Sequence, residues 1–243
     1  MQSLLRRTLT GTAAAVALGG LGLAPAAQAA ENSYTPSEAD FATCPAKPAG
    51  AQSWTCFVSV VTEGTIDISS VRVKVDSPLK LVVAQGKQAD GTTVAKLGSL
   101  TGGDLTIQTP LPGTPLYIQD LTGTKVRIAA TGAVKAGTLM PNSFGVKFRF
   151  VHPLVSSNCW VGTDANPITI TPKISLALPW IQGSTPMLKV WTSANDWALP
   201  KAVGCGLIPG GLIDLIVNDR FKLPDAVGDN KADWTWVVRH KTL

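Results

Sequence analysis

The sequence predicts an all-β fold: an antiparallel β-sandwich, in one or two sandwich-like halves, with one short helix near residues 209–219. The first observation is a period-2 alternation, in which Val71, Val73 and Val75 alternate with Arg72 and Lys74. Such alternation places one face of a strand in a core and the other in water. The second observation is that turn-forming residues separate these segments at the spacing of a sandwich or barrel.

The same alternation recurs in short segments along the chain. We expect further strands at 66–68, 105–107, 126–128, 146–150, 168–171, 174–178, 187–191 and 234–239. The breaks between them are rich in Gly, Pro and Asp, as at 90–91, 102–104, 110–115, 123 and 132. Residues 30–53 are small and polar and include several prolines, so we expect an extended lead-in that is fixed near Cys44.

One late segment has helical rather than strand periodicity. Its apolar residues follow the spacing i, i+4, i+7, i+8, at Ile208, Leu212, Leu215 and Ile216. Because Pro209 suits a first helical turn, we expect a helix from Pro209 to Asp219, with Leu212 and Ile216 packed on the sheet. The alternative is a basic amphipathic membrane helix, against which Asp214 and Asp219 on the polar face argue.

The first 29 residues have the pattern of a secretory signal peptide. Arg6 and Arg7 form a positive region, an apolar stretch covers residues 9–23, and Ala27-Gln28-Ala29 is a small-x-small cleavage site. A transmembrane anchor is the alternative, but it needs about 20 apolar residues. The two arginines also leave the twin-arginine export route open. We therefore expect residues 30–243 to be a secreted domain, extracellular or associated with the cell wall, with no membrane span.

All four cysteines follow the predicted cleavage site. An even number in an exported chain favours disulfides, and four cysteines allow three connectivities. We favour Cys44–Cys56 and Cys159–Cys205, since the first pair closes a short loop and the second pair lies in the later half of the chain. Zinc is the alternative, but the spacings are not C-x-x-C pairs, so we expect no metal site and no cofactor.

The charge of the chain is mildly basic. Lys and Arg number 21 against 16 acidic residues. Without Arg6 and Arg7 the count is 19 against 16, which gives a formal charge of +3. The basic residues are scattered, so nucleic acid is not an expected partner. A weak attraction to an anionic cell wall remains an option, and the oligomeric state is left open.

The sequence contains no recognisable catalytic set, so we predict no catalytic residue. Neither His152 nor His240 stands near a G-x-S-x-G or H-E-x-x-H motif. Carboxylates occur early and late in the chain, but pairs such as Glu63-Gly64 and Asp229-Asn230 are typical of turns. An unrecognised hydrolase that uses the late carboxylates is kept as a third hypothesis.

Tryptophans are concentrated in the last third of the chain. They are Trp160, Trp180, Trp191, Trp197, Trp234 and Trp236. We expect most of them to fill the core. Because an indole ring also offers a flat stacking surface and an N–H donor, Trp197, Trp180 and Trp191 are candidate ligand-binding residues, with Trp197 in an exposed loop.

Several short segments occur in an order that suggests a family. They are Cys159-Trp160-Val161-Gly162 with Asn166-Pro167-Ile168, then Gly204-Cys205-Gly206, Gly210-Gly211-Leu212-Ile213-Asp214, Leu223-Pro224 and Gly228-Asp229-Asn230. Together they resemble a group of uncharacterised exported proteins of actinobacteria. The resemblance implies the compartment and the extent of the domain, and it implies no chemistry.

Three functional hypotheses follow. The first is an exported, non-catalytic protein of the cell surface or the extracellular matrix. The second is a binding module for cell-wall or polysaccharide ligands, through the late tryptophans. The third is the unrecognised hydrolase.

Overall fold

The strands form one antiparallel sheet, and the fold is all-β and sandwich-like, as predicted. A computed structural model describes residues 34–114, 116–206 and 211–243. The predicted signal peptide, 1–29, and the predicted helix start at Pro209 lie outside the described residues. The described residues belong to one compact unit, Glu31–Leu243. No helix within these ranges is long and apolar enough to cross a membrane.

Within the described ranges, fourteen strands make up the sheet. They are β1 Thr55–Ile68, β2 Val71–Lys74, β3 Leu79–Lys87, β4 Thr93–Thr101, β5 Leu105–Pro110, β6 Tyr117–Gln119, β7 Lys125–Lys135, β8 Ser143–Val151, β9 Trp160–Val161, β10 Ile168–Ile170, β11 Lys173–Gln182, β12 Thr185–Ala194, β13 Ala202–Val203 and β14 Lys231–Thr242. Their order is β11-β12-β14-β1-β2-β5-β7-β8-β9-β13, with β3 joining β1 to β4, β6 on β5, and β10 on β8. Every predicted alternating segment falls on one of these strands.

The sheet folds over a main apolar core, and aromatic contacts join its two arms. Strands β8 and β14 are distant in the strand order, yet Phe144 of β8 stacks on Trp234 of β14 with ring centroids 6.2 Å apart. The ring of Phe148 lies 5.9 Å from that of Trp197. Side chains from both arms therefore fill one interior, which is the geometry of a sandwich.

Strand β3 was not predicted, because both of its faces are buried. Leu81 and Val83 face the main core, while Val82 and Ala84 belong to a second, smaller core. A strand that is covered on both faces loses the alternation from which strands are read.

The second core lies on the opposite face of β1 and β3, beneath the N-terminal segment. It contains Phe41, Trp54, Cys56, Val58, Val60, Val82 and Ala84. The extended lead-in predicted for 30–53 is wrong in part, since Glu38–Thr43 form a 3₁₀ helix. Asp40 fixes this helix, because its buried carboxylate accepts hydrogen bonds from Tyr34 (2.6 Å), Lys80 (2.5 Å) and the Ser37 backbone (2.7 Å).

Both predicted disulfides are present. Cys44–Cys56 ties the N-terminal segment to β1. Cys159–Cys205 ties the turn before β9 to the segment after β13. All four cysteines of the chain are therefore paired.

Helix α1, Leu212–Arg220, ends one residue beyond the predicted Asp219 and buries a different face from the one expected. Leu212 and Ile216, which were expected on the sheet, are 71% and 51% exposed, whereas Asp214 and Val217 are buried. The inner face is polar because it holds backbone groups: the Asp214 carboxylate accepts the Cys205 N–H at 2.7 Å. Asn218 accepts the Ala202 N–H at 2.7 Å and donates to its carbonyl at 3.0 Å.

Candidate ligand-binding cleft

An open cleft of about 650 Å³ crosses the outer face of the sheet, the face turned away from the main core. It crosses β11, β12, β14, β1, β2 and β5. Its lining residues are Glu63, Gly64, Thr65, Arg72, Lys74, Gln108, Ser175, Trp191, Thr192, Ser193, Asp233, Trp234 and Thr235.

Strand register arranges these side chains in rows across the sheet. Trp191, Thr235 and Glu63 are successive partners on β12, β14 and β1. A parallel row starts at Asp233 and continues through Thr65 to Lys74. Directly opposed side chains on neighbouring strands lie about 5 Å apart. The cleft therefore presents one aromatic ring followed by closely spaced polar groups.

A β-bulge in β1 turns the polar residues toward the cleft. The pairing with β14 shifts register between Val61 and Glu63, so Thr62 is an extra residue. Gly64, two residues further on, has φ +149°, and a Cβ there would lie 2.3 Å from the Asp233 carbonyl oxygen. The sequence-based interpretation of Glu63-Gly64 as a turn is thus wrong, because both residues lie inside a strand.

Arg72 is held rigidly in the floor of the cleft. Its Nε and Nη2 donate to the two carboxylate oxygens of Asp67 at 2.6 and 2.9 Å. Its guanidinium lies over the Tyr117 ring, 4.2 Å from the centroid. The hydrogen bond to Asp67 raises the pKa of Arg72 above its ordinary value. The third nitrogen, Nη1, has no hydrogen-bond partner within the described ranges and can donate to a ligand.

Other polar groups of the cleft are available to a ligand. In the part of the chain that the structure describes, the side chains of Glu63, Lys74 and Gln108 make no hydrogen bond or ion pair. Asp233 is paired with Lys231 at 2.6 Å. The cleft therefore offers free donors and acceptors, and its charges are of both signs.

The three candidate tryptophans occupy different environments. Trp191 is half-buried and lines the cleft. Trp180, also half-buried, lies on the same hairpin, opposite Met187, outside the cleft. Trp197 is only 2% exposed, so the expectation of an exposed loop residue is wrong. Its loop is drawn inward because Asn230 donates to the Trp197 carbonyl at 3.2 Å.

The remaining late tryptophans are buried or, like Trp191 with Lys189 Nζ 5.6 Å from its ring centroid, lie beside a cation. Trp234 and Trp236 are buried in the main core, as expected for most of the group. Trp160 is half-buried, with Lys147 Nζ 4.9 Å and the Arg149 guanidinium 5.7 Å from its ring centroid.

The residues considered for catalysis are engaged in local contacts. His152 Nδ1 accepts the Leu154 N–H at 3.1 Å within a turn. His240 is exposed and lies beside Phe57. Among the late carboxylates, Asp225 accepts the N–H of Ala226, and Asp214 is buried on the inner face of α1. Across the described residues, no three His, Cys, Asp or Glu side chains gather as a metal-binding group.

Sequence reasoning named Trp191 as a candidate but did not predict the cleft that it lines. Arg72 and Lys74 were recognised as the water-facing positions of an alternating strand. Nothing in the local sequence indicates that they lie near Trp191. That proximity comes from the pairing of β1 with β14 and of β14 with β12.

Comparisons with protein-family models, with curated proteins and with solved structures give no match to this chain. The function is therefore inferred from the chemistry of the cleft.

Proposed function

We propose that this is an exported, non-catalytic protein that binds a polysaccharide chain in the outer-face cleft. The observation that carries the proposal is the row in which the Trp191 ring is followed by Thr235 and Glu63 on the next two strands. An aromatic ring stacks on the apolar face of a sugar, while neighbouring polar groups hydrogen-bond to its hydroxyls.

The dimensions and charge of the cleft favour an extended, uncharged glycan. Six adjacent strands at a spacing of about 4.8 Å extend over roughly 24 Å, enough for several linked sugar rings. Glu63 and Asp233 would repel a polyanion, and Arg72 and Lys74 would repel a polycation. Hydroxyl groups, which both donate and accept, match such a mixed lining.

Export is supported by the cysteine chemistry. The two disulfides join residues 12 and 46 positions apart in the sequence, and such bonds persist in oxidising compartments outside the cytoplasm. The basic, apolar and small-residue regions that follow one another in residues 1–29 favour the same location. We place the protein at the cell surface or in the extracellular matrix, where a wall polysaccharide is its ligand.

The test is retention on a panel of insoluble cell-wall and plant polysaccharides, followed by titration with soluble fragments of any glycan that binds. Trp191→Ala should weaken binding by about 30-fold, the effect of losing a hot-spot contact of about 2 kcal/mol. Trp180→Ala is the matched control, because it removes a half-buried indole from the same hairpin outside the cleft. Equal losses in the two variants, or no binding to any glycan, would refute the proposal.

The same experiment separates binding from hydrolysis. Glu63 and Asp233 lie at diagonal positions on β1 and β14, and glycosidases use two carboxylates across a bound sugar. We expect bound glycan to be recovered at its original length. Release of shorter fragments that stops in Glu63→Gln would show that the protein is a hydrolase.

A further inference from the structure

A second, apolar cavity lies between helix α1 and the end of β8, built from elements that the cleft does not use. It has a volume of about 240 Å³. Phe150, Val217 and Phe221 form its buried floor. The rings of Phe150 and Phe221 stack with centroids 4.1 Å apart, so the floor is rigid.

The mouth of this cavity carries apolar side chains that are left in water. Leu154 from the β8–β9 connection is 79% exposed, and Ile216 from α1 is 51% exposed. These two residues come from separate elements and meet at one opening. An apolar ligand that covers these side chains would remove their apolar surface from contact with water, which favours binding.

The rim adds hydrogen-bond donors at one side of the cavity. His152 Nδ1 accepts the Leu154 N–H, so the neutral ring carries its proton on Nε2. Arg220 uses Nη2 for Asp120, at 2.5 Å, and for Thr122. Within the described residues, His152 Nε2 and Arg220 Nη1 have no hydrogen-bond partner. Both side chains line the cavity and can donate to an acceptor group there.

We propose that this cavity binds the apolar chain of a single-chain carboxylic acid, with its carboxylate at His152 and Arg220. The volume is below the roughly 300–1,000 Å³ of sites for drug-sized ligands, which favours one slender chain over a ring system. A carboxylate suits the rim because it accepts several hydrogen bonds at once and gains from a nearby guanidinium. The site is independent of the glycan cleft.

The first measurement is calorimetric titration of the disulfide-bonded chain with linear fatty acids from hexanoate to dodecanoate, below their micelle concentrations. Affinity should rise about fourfold for each added methylene, and then level off once the cavity is full. Decanol should bind at least tenfold more weakly than decanoate, because it lacks the carboxylate. An affinity that does not depend on chain length, or equal binding of decanol, would overturn the proposal.

The second measurement uses a matched pair of helix variants. Ile216→Glu places a charge at the mouth and should weaken decanoate binding more than tenfold. Leu212→Glu places the same charge on the same helix, at a more exposed position that does not line the cavity, and should change binding less than twofold. Both substitutions are on exposed side chains, and an unchanged near-ultraviolet circular dichroism spectrum verifies the fold. Equal losses in the two variants would contradict the site.

Vesicles distinguish a free ligand from a lipid surface. Co-sedimentation with phosphatidylglycerol vesicles, without any binding of monomeric decanoate, would overturn the cavity assignment and indicate a membrane-contacting surface instead. Competition by decanoate for glycan binding would also contradict it, because the two sites share no residue.

Discussion

Asn230 provides the sharpest test of how the loops are held on the sheet. Its side chain is fully buried. Its Oδ1 accepts the Ser69 N–H at 3.0 Å, and its Nδ2 donates to the carbonyls of Trp197 (3.2 Å) and Ala226 (3.1 Å). One amide therefore joins the β1–β2 turn, the Trp197 loop and the segment before β14.

Asn230→Asp keeps the shape of the side chain and replaces the donor with an acceptor. Two hydrogen bonds worth about 1 kcal/mol each are lost, and two unsatisfied carbonyls add about 1–3 kcal/mol. We expect the free energy of unfolding at pH 7 to fall by about 3–5 kcal/mol. Urea unfolding followed by tryptophan fluorescence measures this difference directly.

The pH dependence of this variant has a definite sign. Burial beside two carbonyls raises the pKa of the introduced carboxyl in the folded state above its unfolded value of about 3.9. The penalty is therefore smallest below that value and grows as the pH rises through the folded pKa. Asn195→Asp makes the same chemical change on an exposed loop residue and should cost less than about 0.5 kcal/mol. A loss at Asn230 no larger than at Asn195 would refute the reasoning.

Two further predictions concern stability. Replacing the Cys159–Cys205 pair with alanines should lower the free energy of unfolding by about 4 kcal/mol, and replacing Cys44–Cys56 should lower it by about 3 kcal/mol. The difference arises because the entropy of loop closure grows with sequence separation, which is 46 residues for the first pair and 12 for the second. Urea unfolding of the two double variants measures both losses, and a larger loss for Cys44–Cys56 would contradict the prediction. Burial alone would raise the pKa of Asp40, but its hydrogen bonds from Lys80, Tyr34 and Ser37 lower it below the ordinary value. Ionised Asp40 thus contributes stability above a pH of about 3.9, and this contribution is lost as the pH falls through the folded pKa. The Asp40→Asn variant should therefore lose less melting temperature than the wild type as the pH is lowered. Parallel curves of melting temperature against pH would contradict this prediction.

The sequence predicts those strands that have one buried face and one exposed face, because their apolar and polar residues alternate. The predictions of β2 and of residues 146–150 of β8 are correct because buried residues alternate there with partly exposed ones. Both disulfide pairings followed from chain position alone. The helix face was wrong because α1 buries Asp214 for its hydrogen bond to the Cys205 backbone, and an apolar pattern carries no sign of such a contact.

The cleft depends on contacts that no local pattern contains. Thr62 and Thr235, which are 173 residues apart, meet where β1 pairs with β14. Trp191 reaches the cleft only through the further pairing of β12 with β14. The position of Trp197 depends in the same way on Asn230. Residue types were therefore informative about candidate chemistry, but their grouping required the tertiary structure.

The bulge at Thr62 explains how strand β1 contributes side chains to both cores and to the cleft. Val58, Val60, Ile66 and Ile68 all occupy even positions, so an unbroken strand would place them on one face. The first two instead face the second core, and the last two face the main core. One inserted residue exchanges the faces of everything beyond it. Without it, Glu63 and Thr65 would point into the main core, and the outer face would carry isoleucines where the cleft now has its polar row.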